Sequence, residues 1–62
     1  MKATVLGSTD KNHIGEIIDT DLFAINFHNG ESFGAYGRLH YGNGRWKLWN
    51  ESYSIDIEEV RE

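Results

Sequence analysis

The chain has 62 residues and no cysteine, so it is expected to form one small domain, without a disulfide framework or a thiolate metal cluster. Ten acidic residues against six lysines and arginines give a net charge of −4, which argues against bulk electrostatic capture of nucleic acid but leaves room for a local basic patch. No apolar run approaches the ~20 residues of a membrane span, and Met1-Lys2 leads into no signal-peptide block; the expected setting is the cytoplasm, that of a host cell if the protein is viral.

Seven glycines fall between Gly7 and Gly44, and each costs about 1 kcal/mol in a helix interior relative to alanine. Apolar and polar residues instead alternate in short bursts, the period-two pattern of half-buried strands. In chain order the expected strands are Lys2–Leu6, Ile14–Asp19, Leu22–His28, Ser32–Tyr36, Arg38–Tyr41, Arg45–Trp49 and Tyr53–Ile57. Turn chemistry separates them: a longer loop over Gly7 to Asn12, then Asp19-Thr20-Asp21, Asn29-Gly30 and Gly42-Asn43-Gly44.

Asn29-Gly30 admits a two-residue turn, with Phe23, Ile25 and Phe27 beside Tyr36, Gly34 and Ser32. A three-residue His28-Asn29-Gly30 loop sets them beside Ala35, Phe33 and Glu31 and gathers more apolar surface on one face, so it is preferred. Asn43-Gly44 is read as a two-residue type I′ turn, which pairs Gly42 with Arg45, Tyr41 with Trp46, His40 with Lys47, Leu39 with Leu48 and Arg38 with Trp49. That register separates the apolar pairs from the cations, whereas pairing Leu39 with Lys47 and His40 with Trp46 mixes the faces. In the last strand Tyr53, Ile55 and Ile57 point one way, and Val60 is expected to pin a final turn. Five to seven short strands in a flat meander would leave bare edges and one apolar face, so the expected fold is an all-β, curled antiparallel meander or small barrel, with bends at Gly15, Gly34 and Gly37.

The stretch from His13 to Asp19, followed by Phe23-Ala24-Ile25-Asn26-Phe27, resembles the opening of a KOW or Tudor-type module, a Src-homology-3-like small barrel. The run Tyr53 to Val60 is similar to the closing strand of that group, so the resemblance covers about half the chain. It implies the barrel fold and a nucleic-acid-binding role. Two features depart from the pattern: the Arg38–Trp49 hairpin has no fixed place in a minimal KOW motif, and the chain is acidic where nucleic-acid-binding members tend to be basic.

Residues 32–50 contain Arg38, Arg45 and Lys47 and no acid, between acidic flanking segments. In the expected register Arg38, His40, Arg45, Lys47 and Trp49 share the face away from the core, with Tyr36 nearby. Cations interleaved with aromatic rings suit a protein partner, with Trp49 as anchor, or single-stranded RNA or DNA held by phosphate pairing and stacking. The blander account is an Arg38–Trp49 cation–π pair on a solubilised strand, or a Trp49 that closes the barrel end. The acidic close from Glu51 to Glu62 is read as a solvated face, with docking on a basic partner as the alternative.

Catalysis and metal binding are not expected. His13, His28 and His40 lack ligand spacing, Ser8, Ser32, Ser52 and Ser54 lie in no nucleophile context, Gly42 and Gly44 belong to a hairpin, and a chain this short has little room for a pocket. The leading expectation is therefore a non-catalytic interaction module without cofactors, of an accessory or regulatory kind, with a phage or mobile-element origin suggested by size alone. It would bind a larger protein through Arg38, His40, Arg45, Lys47, Trp49 and Tyr36. The alternatives are a nucleic-acid-binding module using the same face, for which about three phosphates give a log–log salt slope near −2, and a self-assembling structural protein whose acidic edges meet the basic hairpin.

Overall fold

The computed structural model describes residues 1–9 and 13–60. It is all-β: β1 (Lys2–Ser8), β2 (Ile17–Thr20), β3 (Ala24–Asn26), β4 (Ser32–Gly34), β5 (Gly37–Gly42), β6 (Arg45–Trp49) and β7 (Ser54–Glu59) form one sheet, with order β4-β3-β2-β1-β7-β6-β5. Every paired neighbour is antiparallel. The first and last strands thus meet in the middle of the sheet, and its two edges, β4 and β5, are consecutive in the chain.

That connectivity forces the sheet to curl. Six inter-strand spacings would set β4 and β5 about 29 Å apart in a flat sheet, but Gly34 and Gly37 are joined by a link that reaches only about 10 Å. The corner lies at Ala35-Tyr36, where successive amides turn to opposite ends of the sheet. Ala35 N–H donates to Phe23 O at 2.8 Å, and Tyr36 N–H donates to Trp49 O at 2.9 Å. Asn50 Nδ2 to Gly34 O (2.9 Å) and Arg38 Nε to Leu22 O (3.0 Å) tie the two ends further. The ladder itself stays open between β4 and β5.

Alternate residues of the strands point inward. Ala3, Val5, Ile18, Ile25, Phe33, Leu48, Ile55 and Ile57 form the buried cluster, covered by Leu22, Phe27, Ala35 and Trp46. Period-two burial is clearest in β7, where Ile55 and Ile57 are buried between less buried neighbours. Tyr53 precedes that strand, half exposed, with its ring edge-on to Phe33 at 6.4 Å. Val60 N–H donates to Lys2 O and prolongs the β1–β7 pairing, and the final turn expected after it lies outside the described residues.

Strands occur in all seven expected places, and β6 has the expected bounds. Three are shorter for local reasons, β4 because the corner at Ala35-Tyr36 ends it at Gly34. Gly15 takes φ +90° and, with Glu16 N–H bonded to His13 O, makes a turn where the second strand was expected to begin. In the third, Asp21 Oδ1 accepts from the N–H groups of Phe23 and Ala24, and Leu22 adopts φ +71°, so β3 starts only at Ala24. The expected loop over Gly7 to Asn12 is displaced by a longer β1, with Asp10, Lys11 and Asn12 outside the described residues.

The Asn29-Gly30 hairpin has the three-residue form. Ile25 pairs with Phe33, Phe27 N–H donates to Glu31 O, and Gly30 takes φ +90°. The Asn43-Gly44 hairpin needs a correction. Both turn residues have the positive φ of a type I′ turn, +57° and +77°, and Gly42 pairs with Arg45 as expected. Beyond them the register shifts between His40 and Gly42, so His40 pairs with Trp46, Leu39 with Lys47, Arg38 with Leu48 and Gly37 with Trp49. The extra residue is Tyr41, a bulge beside Gly42 at φ +94°. One added residue inverts every side chain beyond it.

Candidate functional site: the outer face of the β5–β6 hairpin

The bulge divides the six expected site residues between two faces. Arg45, Lys47 and Trp49 alternate with the inward Trp46 and Leu48 and point outward. Arg38 and His40 pair with Leu48 and Trp46, so they lie on the inner side at the open rim of the curl. There the Arg38 guanidinium sits 3.9 Å over the Phe23 ring, and the His40 ring stacks on Trp46 at 4.1 Å with an interplanar angle of 13°. These contacts explain why mixing the faces is tolerated: flat cationic or amphipathic side chains cover aromatic rings at an edge and still reach water. Tyr36 stands at the corner and is 78% exposed.

In their place the outer face gains Leu39 and Tyr41, beside Lys47 and Trp49. Leu39, Tyr41 and Trp49 are 51%, 56% and 38% exposed, and together with Tyr53 they line an open groove of about 500 Å³. The pocket-sized space that so short a chain was expected to lack is thus present as an open surface groove. Trp49 is no bare platform, because its indole lies flat over Gly37: a β-carbon added there would fall 2.1 Å from Cε2. Sequence reasoning missed Leu39 and Tyr41. The available signal was Gly42 ahead of Asn43-Gly44, since a third residue with ready access to positive φ permits a bulge next to the turn.

The expected basic character of this face is largely cancelled across the sheet. Arg45 Nε donates to Glu58 Oε2 at 2.8 Å, and Lys47 lies directly opposite Asp56 on β7. The third cation, Arg38, is held at the rim by Leu22 O and Phe23. What remains is an apolar, aromatic surface bordered by matched charges.

At the other end of the curl His13 is buried beside Phe27, with ring centroids 3.9 Å apart. Its Nδ1 lies 2.8 Å from Glu16 Oε2 and its Nε2 3.2 Å from Glu31 Oε2. Carboxylates only accept, so both bonds coexist only when both nitrogens carry protons. Glu16 also accepts from His28 N–H at 2.9 Å. The bond from His13 first, and that from His28 second, hold the Glu16 carboxyl below its ordinary value of 4.5. A depressed carboxyl stabilises the fold above that ordinary value and loses its contribution as pH falls through the lower, folded value. Glu16→Gln is therefore expected to flatten the acid limb of a melting-temperature profile below about pH 4.5. An acid limb identical to that of the wild type would refute the assignment.

His28 Nε2 donates to Ile17 O at 2.7 Å, so the three histidines serve three separate places. Among the described residues no group of His, Asp and Glu side chains is arranged to hold a metal ion, and no helix is long and apolar enough to cross a membrane. The chain matches no family model, and comparison with curated proteins and with solved structures found no match to either.

Proposed function

We propose that the protein is a non-catalytic interaction module that binds a larger protein through the outer face of β5 and β6. The observation that carries this reading is the exposed Leu39–Tyr41–Trp49 surface on the β5–β6 hairpin. Aromatic and aliphatic anchors at the centre of a patch, with matched charges around it, are the usual makings of a binding hot spot. Trp49 keeps the anchoring role expected of it, Lys47 and Arg45 form the rim, and Tyr36 borders the corner. Arg38 and His40 contribute from the rim of the curl rather than from this face. The nucleic-acid reading stands second, because on the outer face Arg45 is already paired with Glu58 and Lys47 lies opposite Asp56, in a chain of net charge −4.

The test is affinity capture with the wild type and with the double variant Leu39→Ala, Tyr41→Ala. Both positions are exposed, so the variant is expected to melt within a few degrees of the wild type and to lose its partner by about tenfold or more. Equal capture by both proteins would refute the reading. Capture abolished by nuclease, with a log–log salt slope near about −2, would transfer the function to nucleic acid.

A further inference from the structure

Among the described residues β5 has β6 as its sole strand neighbour, whereas the opposite sheet edge, β4, is only three residues long. Beyond Arg38, which is tethered to Leu22 O, the residues Leu39, His40 and Tyr41 are all exposed. Open edges are commonly blunted by proline, lysine, a bulge or an inward charge; β5 has no proline or lysine, and its inward Arg38 and the Tyr41 bulge stand on either side of the exposed Leu39-His40 stretch.

The edge has a chemical pattern as well as free backbone. Arg38 and His40 face one side and Leu39 the other, and neither Arg38 nor His40 has a carboxylate partner among the described residues. Within the sheet, the strand of alternating cations and apolar residues, β6, is already paired with one of alternating acids and isoleucines. Arg45 faces Glu58 and Lys47 faces Asp56 on the outside, while Trp46 faces Ile57 and Leu48 faces Ile55 inside.

We propose that the β5 edge accepts an extended acidic segment of the protein partner as an additional strand. Its acids lie beside Arg38 and His40, and its intervening apolar residues extend the Leu39–Tyr41–Trp49 surface. This inference rests on the reading of β5–β6 as the partner-binding face. A second copy of the chain is the poorer occupant, because pairing β5 with β5 gathers two sets of Arg38 and His40 on one rim with no acid between them.

The probe is the peptide acetyl-Thr-Val-Glu-Ile-Asp-Val-Thr-amide, titrated into the isotope-labelled chain and followed by amide chemical shifts. Shifts are expected within Gly37–Gly42, and a peptide with lysine in place of both acids should bind about tenfold more weakly. Two further peptides carry N-methyl groups on one or the other alternate set of amides. Strand addition predicts that only one of them loses binding, since alternate amides face the sheet and the solvent. His40→Glu should shift the preference toward the lysine peptide.

Shifts centred outside β5, equal binding of both N-methylated peptides, or equal binding of acidic and lysine peptides would overturn the proposal. So would dimerisation through β5 without peptide. If the Leu39→Ala, Tyr41→Ala variant loses its partner while the acidic peptide leaves β5 unshifted, the outer-face reading stands and strand addition falls. If the variant keeps its partner, the outer-face reading itself has failed.

Discussion

Gly37→Val is expected to unseat the Trp49 indole. The backbone at Gly37 lies outside the left-handed region, so valine meets no dihedral strain, and its β-branching would ordinarily favour a strand. The obstacle is steric: an added β-carbon falls 2.1, 2.3 and 2.5 Å from Cε2, Cζ2 and Nε1 of Trp49. The ring must swing off the strand and lose the surface it now shelters, at a cost of about 1–3 kcal/mol. Urea melts measure that cost. Acrylamide quenching in a Trp46→Phe background, where Trp49 is the sole indole, reports its release. A more stable variant with unchanged quenching would show that Trp49 does not lie on Gly37.

The larger loss is expected from Ile57→Ala. Ile57 is fully buried in β7, paired with Val5 on one side and Trp46 on the other, where the first and last strands join the two halves of the sheet. Truncating a buried isoleucine costs about 2–5 kcal/mol. A domain of this length holds only about 3–9 kcal/mol in total. Each kcal/mol moves the melting temperature by about 4–8 °C at this size, so the variant should melt at least about 10 °C lower or be substantially unfolded at 25 °C. A drop of less than about 3 °C would mean that Ile57 does not occupy the core. The β1–β7 pair joins the two halves of the sheet across the longest sequence separation, and Ala3, Val5, Ile55 and Ile57 seal that seam.

Much of this architecture is legible from residue pattern. Alternation in Ser54–Glu59 marks Ile55 and Ile57 as inward, and the count of apolar contacts chooses the three-residue loop at Gly30. The all-β, curled character follows from glycine placement and the danger of bare edges. Two physical effects hide the rest. A bulge is a single-residue event with little cost at a glycine-rich turn, so the Tyr41 bulge leaves no mark in hydrophobic periodicity, yet it exchanges Arg38 and His40 for Leu39 on the outer face. Ring stacking, as in Arg38 over Phe23 and His40 on Trp46, lets polar side chains sit on an inner face that a simple inside–outside rule gives to leucine. The cancellation of Arg45 by Glu58 depends on strands brought together only by the fold. Asn50 is similar. Its side chain caps the amides of Ser52 and Tyr53 and also reaches Gly34 O, and spacing along the chain shows only the first of these roles.

Partner binding at the outer face depends most directly on the hairpin register, and cross-strand nuclear Overhauser contacts between backbone protons read it. The structure predicts contacts joining Leu39 with Lys47, and Arg38 with Leu48, together with close approach of the His40 and Trp46 rings. Contacts joining Leu39 with Leu48, and Arg38 with Trp49, would contradict it. They would return Leu39 to the core side, gather the cations on the outer face, and remove the apolar surface on which partner binding is proposed.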